Sequence, residues 1–343
     1  MGKKVILFGG AGFIGHNSAL KLNDLGFDVT VVDSLQINNI YYFESLNDKK
    51  NNSIYINMLE ERRSLIKDSK INFIIQDLRD YHAVAKIITN IKPNIVVQLA
   101  AVAHANKSNK DPYSTFDHSF RTLENALDAS KNNIDHFIYF SSSMVYGNFE
   151  NPIVDETSNC EPLGIYAALK YGGEKLVVSY NQVFGLPYTI IRPSALYGER
   201  CVSGRVIQNF LEKAFNNEVL EVQGDGEDKL DFTYIDDLVD GITKVVCTDK
   251  PKNEVYNITY GSSRSINDVC KILKELFPNI EIVNKKRDKL MPFRGTLSIQ
   301  KISNDLGFKP IPSVSKNPIK IVARTKNLIF FKSLPIINLS LFK

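Results

Sequence analysis

Residues 5–15, Val5-Ile6-Leu7-Phe8-Gly9-Gly10-Ala11-Gly12-Phe13-Ile14-Gly15, decide how the rest of the chain is read. Four apolar residues in succession run into glycines at positions 9, 12 and 15. An amphipathic segment with Ala19, Leu20 and Leu22 follows as far as Gly26. A second apolar run, Val29-Thr30-Val31-Val32, then ends in Asp33. The pattern predicts strand, tight turn, helix and strand. Glycine lets the backbone turn sharply and approach a pyrophosphate closely, and the free N–H groups of the following helix face that anion. An acid at the end of the second strand accepts hydrogen bonds from both hydroxyls of an adenosine ribose and repels a 2′-phosphate. The stretch therefore predicts a dinucleotide site that prefers NAD to NADP. Its cofactor-binding residues are Gly9, Gly12, Phe13, Ile14, Gly15 and Asp33.

Working outward, apolar runs recur at 71–75, 95–99, 137–140 and 188–191. Helical patterns are expected between them over about 81–90, 113–131 and 166–184. Continuous apolar strands alternating with helices indicate a parallel sheet covered on both faces. The expected fold class is α/β, with a doubly wound parallel sheet of the Rossmann type over residues 1–192. Residues 35–69 are a long connection rich in Asn, Lys and Tyr, with a short helix expected at 58–66. A helix-bearing insertion at the cofactor or subunit edge is preferred there to a disordered loop. Beyond Arg192, helices are expected at 204–216, 236–247 and 265–277, with short strands near 220–222, 255–258 and 281–283. This half reads as a smaller mixed α/β lobe over about 193–312, with about 227–247 returning to the first domain. A basic, apolar tail occupies 313–343.

With 43% hydrophobic and 23% charged residues, the 343-residue chain has an ordinary globular composition. No apolar run reaches the ~18 residues needed to span a bilayer, and the early glycine turn leaves no room for a signal peptide. Cys160, Cys201, Cys247 and Cys270 show no CxxC spacing, so they read as reduced thiols of a cytoplasmic protein. Five scattered histidines suggest no metal site. The net charge of +4 is uneven: residues 306–343 hold seven cations and no acid, which leaves 4 − 7 = −3 on the rest. A slightly acidic body argues against a nucleic-acid partner.

Ligands in open parallel sheets bind beyond the carboxyl ends of the strands. Ser142 follows directly on one such end, and Tyr166-Ala167-Ala168-Leu169-Lys170 opens the next helix. Tyr166 and Lys170 are four apart and share a helix face. A lysine ammonium and a nicotinamide cation near a phenol favour the phenolate. Such a phenolate accepts the proton of a substrate hydroxyl while a hydride leaves the same carbon for NAD, and Ser142 shares the hydrogen bond to that hydroxyl. Tyr-x-x-x-Lys alone is common on surface helices. Its position, one helix after a Ser-ended strand in a chain that opens with a dinucleotide turn, gives it meaning.

With these residues in place the chain resembles the extended short-chain dehydrogenase/reductase family, the NAD-dependent nucleotide-sugar epimerases and dehydratases. The resemblance rests on Gly9 to Gly15, Asp33, Asp77-Leu78, Leu99-Ala100-Ala101, Ser141 to Gly147, Tyr166 with Lys170, Arg192-Pro193 and Tyr197-Gly198. Gly224-Asp225-Gly226, Asp231-Phe232 and Tyr234 to Leu238 complete it, so that it spans about 1–310. It implies that Asp77 and Leu78 contact the adenine, that Leu99, Ala100 and Ala101 line the cofactor, and that Pro193 lies near the carboxamide. It further implies a second lobe that holds the nucleotide of a nucleotide-diphosphate sugar. A homodimer would pair the helices near 113–131 and 166–184 as a four-helix bundle.

Within that family, dehydratases and decarboxylases carry one or two acids just after the Ser142 position. Ser143 and Met144 stand there, so 4,6-dehydration is not expected, and Ser143 is taken as a substrate contact. The pattern around Ser142 resembles the 4-epimerases, which oxidise C4 transiently and return the hydride. A nucleotide-sugar 4-dehydrogenase that releases a keto product is the alternative, and an NAD-binding regulator a more distant one. Two positions depart from the epimerase pattern: Ala195 replaces an Asn, and Leu230 replaces an Arg that holds the diphosphate. Arg200, Arg205, Arg287 and Arg294 are candidate substitutes, with Arg205 and Arg287 preferred. For the tail, packing on the body or on a partner is preferred to contact with an anionic membrane surface where polysaccharide is assembled.

Overall fold

The structure, a computed structural model, describes residues 2–45, 52–248 and 253–311. The tail at 313–343 lies outside the described residues. Seven parallel strands form the main sheet: β1 (Lys4–Phe8), β2 (Asp28–Asp33), β3 (Asn72–Ile75), β4 (Ile95–Gln98), β5 (His136–Phe140), β6 (Tyr188–Arg192) and β7 (Glu254–Asn257). Their spatial order is β3-β2-β1-β4-β5-β6-β7, so the direction of winding reverses between β1 and β4. Successive side chains on a strand point to opposite faces, so a strand buried on both sides must be apolar throughout. Val5 and Leu7 enter one core with Val29, Val31, Ile95, Val97, Ile138 and Phe140. Ile6 and Phe8 enter the other with Val96, Phe137, Tyr139 and Ile190.

Helix α1 (Phe13–Asp24) and the helix Ile235–Cys247 cover the first face, through Ala19, Leu22, Leu238 and Ile242. The helices Tyr81–Ile91, Thr122–Ser130 and Ile165–Phe184 cover the second, through Val84, Ile88, Leu123, Leu127 and Val177. A third core holds the smaller lobe together. There the helices Val206–Phe215 and Ile266–Leu276 pack Phe210, Leu211, Val269 and Leu273 on a parallel strand pair, Leu220–Gln223 with Ile282–Lys285. No described helix is long and apolar enough to cross a membrane.

Three features differ from the reading of the sequence. The helix expected at 58–66 runs from Asn52 to Asp68. Its buried face includes Arg62 beside Met58, Leu59 and Ile66, and a charged residue on the inner stripe conceals the helical period. The helix expected over 113–131 is broken in its middle by a π-turn at Asp117–Arg121, where the Ser119 hydroxyl accepts the Val102 N–H at 3.0 Å. The segment near 255–258 joins the main sheet as β7, in parallel register with β6, so the second half of the chain contributes a strand to the main sheet as well as a helix that covers it.

The insertion between β2 and β3 ties the two lobes. Phe43, Met58 and Leu59 pack against Val202, the Tyr55 hydroxyl donates to Glu212 at 2.5 Å, and Glu61 pairs with Arg200 at 3.1 Å.

Two adjacent glycines on the helix Ile165–Phe184 test the packing on the second face. A Cβ on Gly173 would sit 2.4 Å from the Tyr139 hydroxyl and 2.9 Å from Leu123 Cδ2. One on Gly172 would meet only Phe120 at 3.4 Å. Gly173→Ala is expected to cost about 1–3 kcal/mol through overpacking. Gly172→Ala is expected to be neutral or to stabilise by up to about 1 kcal/mol through helix propensity. Urea unfolding of both variants checks the opposite signs.

Candidate active site

The carboxyl ends of β1, β2, β4, β5 and β6 open into one cleft of about 490 Å³. At its floor is the glycine turn. Gly9 has φ +76°, and a Cβ there would lie 2.6 Å from the Ala100 nitrogen; one on Gly15 would lie 2.6 Å from the Gly10 backbone. Only glycine permits this approach of turn, helix and neighbouring strand. Gly12, Phe13 and Ile14 complete the floor.

Asp33 is buried at the end of β2, where its carboxylate accepts the Ala11 N–H at 3.1 Å and the Leu35 N–H at 2.8 Å. Burial raises its pKa, and these two N–H groups and the charge of Arg62 work against the rise. Asp77 and Leu78, Leu99 to Ala101, and Pro193 all line the same cleft. Asp77 is held by Arg79, whose Nη2 donates to it at 2.6 Å. A backbone cradle that a Cβ would fill, with a carboxylate at the far strand end, fits the pyrophosphate and adenosine ribose of a dinucleotide.

Ser142, Ser143, Tyr166 and Lys170 line the same cleft. The Ser142 hydroxyl accepts the Met144 N–H at 3.2 Å, and Lys170 Nζ donates to the Phe140 carbonyl at 2.6 Å. Burial brings the Lys170 ammonium down to about 8, although Glu174 works in the opposite direction. Beneath this group the Arg192 Nε and Nη2 donate to Glu174 at 2.9 and 2.7 Å, and the Ser141 hydroxyl donates to the same carboxylate.

The candidate arginines divide. Arg205 and Arg294 line the cleft, and each keeps a buried Nε without a hydrogen-bond partner. Arg287, preferred on sequence grounds, is outside the lining: it pairs with Asp228, donates to the Met291 carbonyl at 2.9 Å and stacks on Phe293. Arg200 is likewise engaged, with Glu61 and with His16 at 3.2 Å. Arg294 is close enough to Tyr166 for charge on the phenol to act on it; burial takes its guanidinium down to about 10. Ala195 and Leu230 line the cleft where the resemblance places substrate contacts.

Among the cleft residues that sequence reasoning missed are Arg62 and His104. His104 also keeps a buried Nδ1 without a partner, and burial with nearby Lys107 and Arg205 lowers its pKa. The only sequence signal for either is a polar residue on an otherwise apolar pattern.

A strand-end Ser with a Tyr-x-x-x-Lys helix beside a dinucleotide cradle defines a short-chain dehydrogenase/reductase. The chain belongs to the NAD dependent epimerase/dehydratase family, whose model matches residues 5–259, and NAD is its cofactor. It is 31% identical to a putative UDP-glucose 4-epimerase of Methanocaldococcus jannaschii over 331 residues, 94% of this chain and 98% of that protein. It is 32% identical to Protein CapI of Staphylococcus aureus over 71% of this chain and 69% of that one. Among solved structures it resembles UDP-glucuronic acid 4-epimerase from Bacillus cereus in complex with UDP-glucuronic acid and NAD. That match has TM-score 0.83 and 25% identity, and covers 95% of this chain and 99% of that one. UDP-glucose 4-epimerase from Thermotoga maritima with UDP-glucose matches at TM-score 0.78 and 27% identity, over 94% and 99% of the chains.

The Lys170 ammonium sets a pH dependence of stability. The unfolded lysine titrates near 10.5 and the folded one near 8. Below pH 8 both states are charged and the burial cost is fully present; between pH 8 and 10.5 the folded state sheds its proton first, so stability rises with pH. Urea unfolding of the cofactor-free protein should show wild type gaining on Lys170→Met between pH 7 and pH 10.

Proposed function

We propose that the protein is an NAD-dependent nucleotide-sugar 4-epimerase. The observation that carries this reading is the meeting of Ser142, Tyr166 and Lys170 in the dinucleotide cleft, with Ser143 and Met144 where a dehydratase carries acids. The relatives and solved structures named as UDP-sugar 4-epimerases support it. Tyr166 accepts the proton of the sugar's C4 hydroxyl through its phenolic oxygen and gives it back on the return step. Ser142 hydrogen-bonds the same oxygen and keeps it over the phenol. Lys170, fixed by the Phe140 carbonyl, supplies positive charge beside the phenol. NAD held by the glycine turn and Asp33 would supply the hydride acceptor for C4 and the donor for the return step. Arg205 and Arg294 bind the diphosphate through the donors left without partners, in the role vacated at Leu230. Ser143, beside Ser142 in the cleft, contacts the sugar.

A homodimer through a four-helix bundle belongs to the same reading. Tyr113, 86% exposed, Phe116, Val183 at 71% and Phe184 present apolar surface on the helices around 112–130 and 165–184. The tail contributes no catalytic group to this reading.

Purified protein given UDP-, GDP- and dTDP-hexoses should yield a 4-epimer without added NAD, seen by chromatography and absorbance. Accumulation of keto-sugar with NADH would replace epimerase by dehydrogenase. No turnover with tightly held cofactor would favour a regulator. Tyr166→Phe should lower kcat by about 10²–10⁴-fold and leave NAD affinity intact; unchanged turnover would remove Tyr166 from the chemistry.

A further inference from the structure

Arg62 stands on the inner face of the insertion helix with its side chain 1% exposed. A guanidinium carries five N–H donors and keeps its charge when buried. Three of its nitrogens are used on two main-chain carbonyls: Nε and Nη2 donate to Arg200, and Nη1 donates to Ala11 at 3.4 Å. That leaves two N–H groups, and among the described residues no carboxylate pairs with the cation. A buried cation without an anion is costly unless a ligand completes its hydrogen bonds.

The surroundings say which ligand. Arg62 lines the dinucleotide cleft, as does Asp33. Both hold one residue of the glycine turn: Asp33 accepts the Ala11 N–H, and Arg62 donates to the Ala11 carbonyl. Each charge acts on the other, although burial is the larger influence on both. An acceptor-only group and a donor-only group thus hold the two backbone polar groups of the same residue. A ribose diol offers hydrogens to the first and lone pairs to the second.

We propose that Arg62 is a cofactor-reading residue, which together with Asp33 grips the adenosine ribose of NAD and would receive a 2′-phosphate if the Asp33 charge were removed. Asp33 accepts from the diol, and Arg62 donates to it. Discrimination against NADP then rests on Asp33 alone, because Arg62 favours the phosphate.

Calorimetry on full-length, cofactor-stripped protein tests this, with NAD, NADP and UDP as probes. Arg62→Leu should weaken NAD by about 10- to 100-fold while UDP changes by less than about threefold. Arg62→Lys should recover part of the loss. Asp33→Asn should bind NADP at least as tightly as NAD, and the Asp33→Asn/Arg62→Leu double variant should lose that gain. Arg62→Gln serves the same comparisons if Arg62→Leu does not fold. NAD affinity unchanged in a folded variant overturns the proposal. So does an equal loss for NAD and UDP, which would make Arg62 only a structural tie to the Arg200 carbonyl. Equal NADP binding by the single and double Asp33 variants overturns it too.

Discussion

The buried pair of Glu174 and Arg192 fixes the chemistry of this fold in place. Each partner is about 5% exposed, and two parallel N–H···O contacts join them. Removing two charges from water is unfavourable, and bidentate geometry with a further donor offsets the cost. The Ser141 hydroxyl is that donor, and the Tyr146 ring lies 4.8 Å from the guanidinium. The pair therefore clamps three elements: the end of β5, the end of β6 and the helix Ile165–Phe184. Ser142 and Pro193 are the next residues along their strands, and Tyr166 and Lys170 stand up to two turns away on the clamped helix. Ser142, Tyr166 and Lys170, separated in sequence, are brought to one cleft beside a contact in which none of them takes part.

Around that clamp the cleft keeps hydrogen-bonding capacity in reserve. Buried polar groups normally have partners. His104, Arg205 and Arg294 each keep one polar atom without a partner, and all three line the same cleft. The main sheet reverses its winding between β1 and β4, which splays the flanking loops and makes the opening these groups face. Arg205 and Arg294 bring positive charge to the cleft lining, and Asp33 brings a negative one.

Legibility in the sequence followed locality. The β1–α1–β2 unit could be read because strand period, glycine turn and terminal acid are consecutive. The strands of the main sheet could be read because burial on both faces demands unbroken apolar runs. Arg62 could not, since a polar residue on a buried helix face looks like a solvated one until its carbonyl partners, far away in sequence, are known. Arg287 and Arg294 are seven residues apart and equivalent in composition. Only the packing of Arg287 on Asp228 and Phe293 separates them. The π-turn at Asp117–Arg121 has no local signature either, because the Val102 N–H that engages Ser119 comes from the loop after β4.

The position of β7 has a consequence for how the molecule is made. Synthesis runs from the amino terminus, and domains tend to fold as they emerge. When β6 leaves the ribosome its outer edge has no partner, since β7 follows only after the helices Val206–Phe215 and Ile235–Cys247. Tyr188–Arg192 is short, apolar and rich in β-branched residues, the kind of strand that recruits a foreign edge when left open. The nascent chain thus passes through an interval in which its half-built sheet is vulnerable to a neighbour. That interval closes when Val255 and Tyr256 dock beside Ile190 and Ile191. A ribosome stalled between the two strands would hold that edge open.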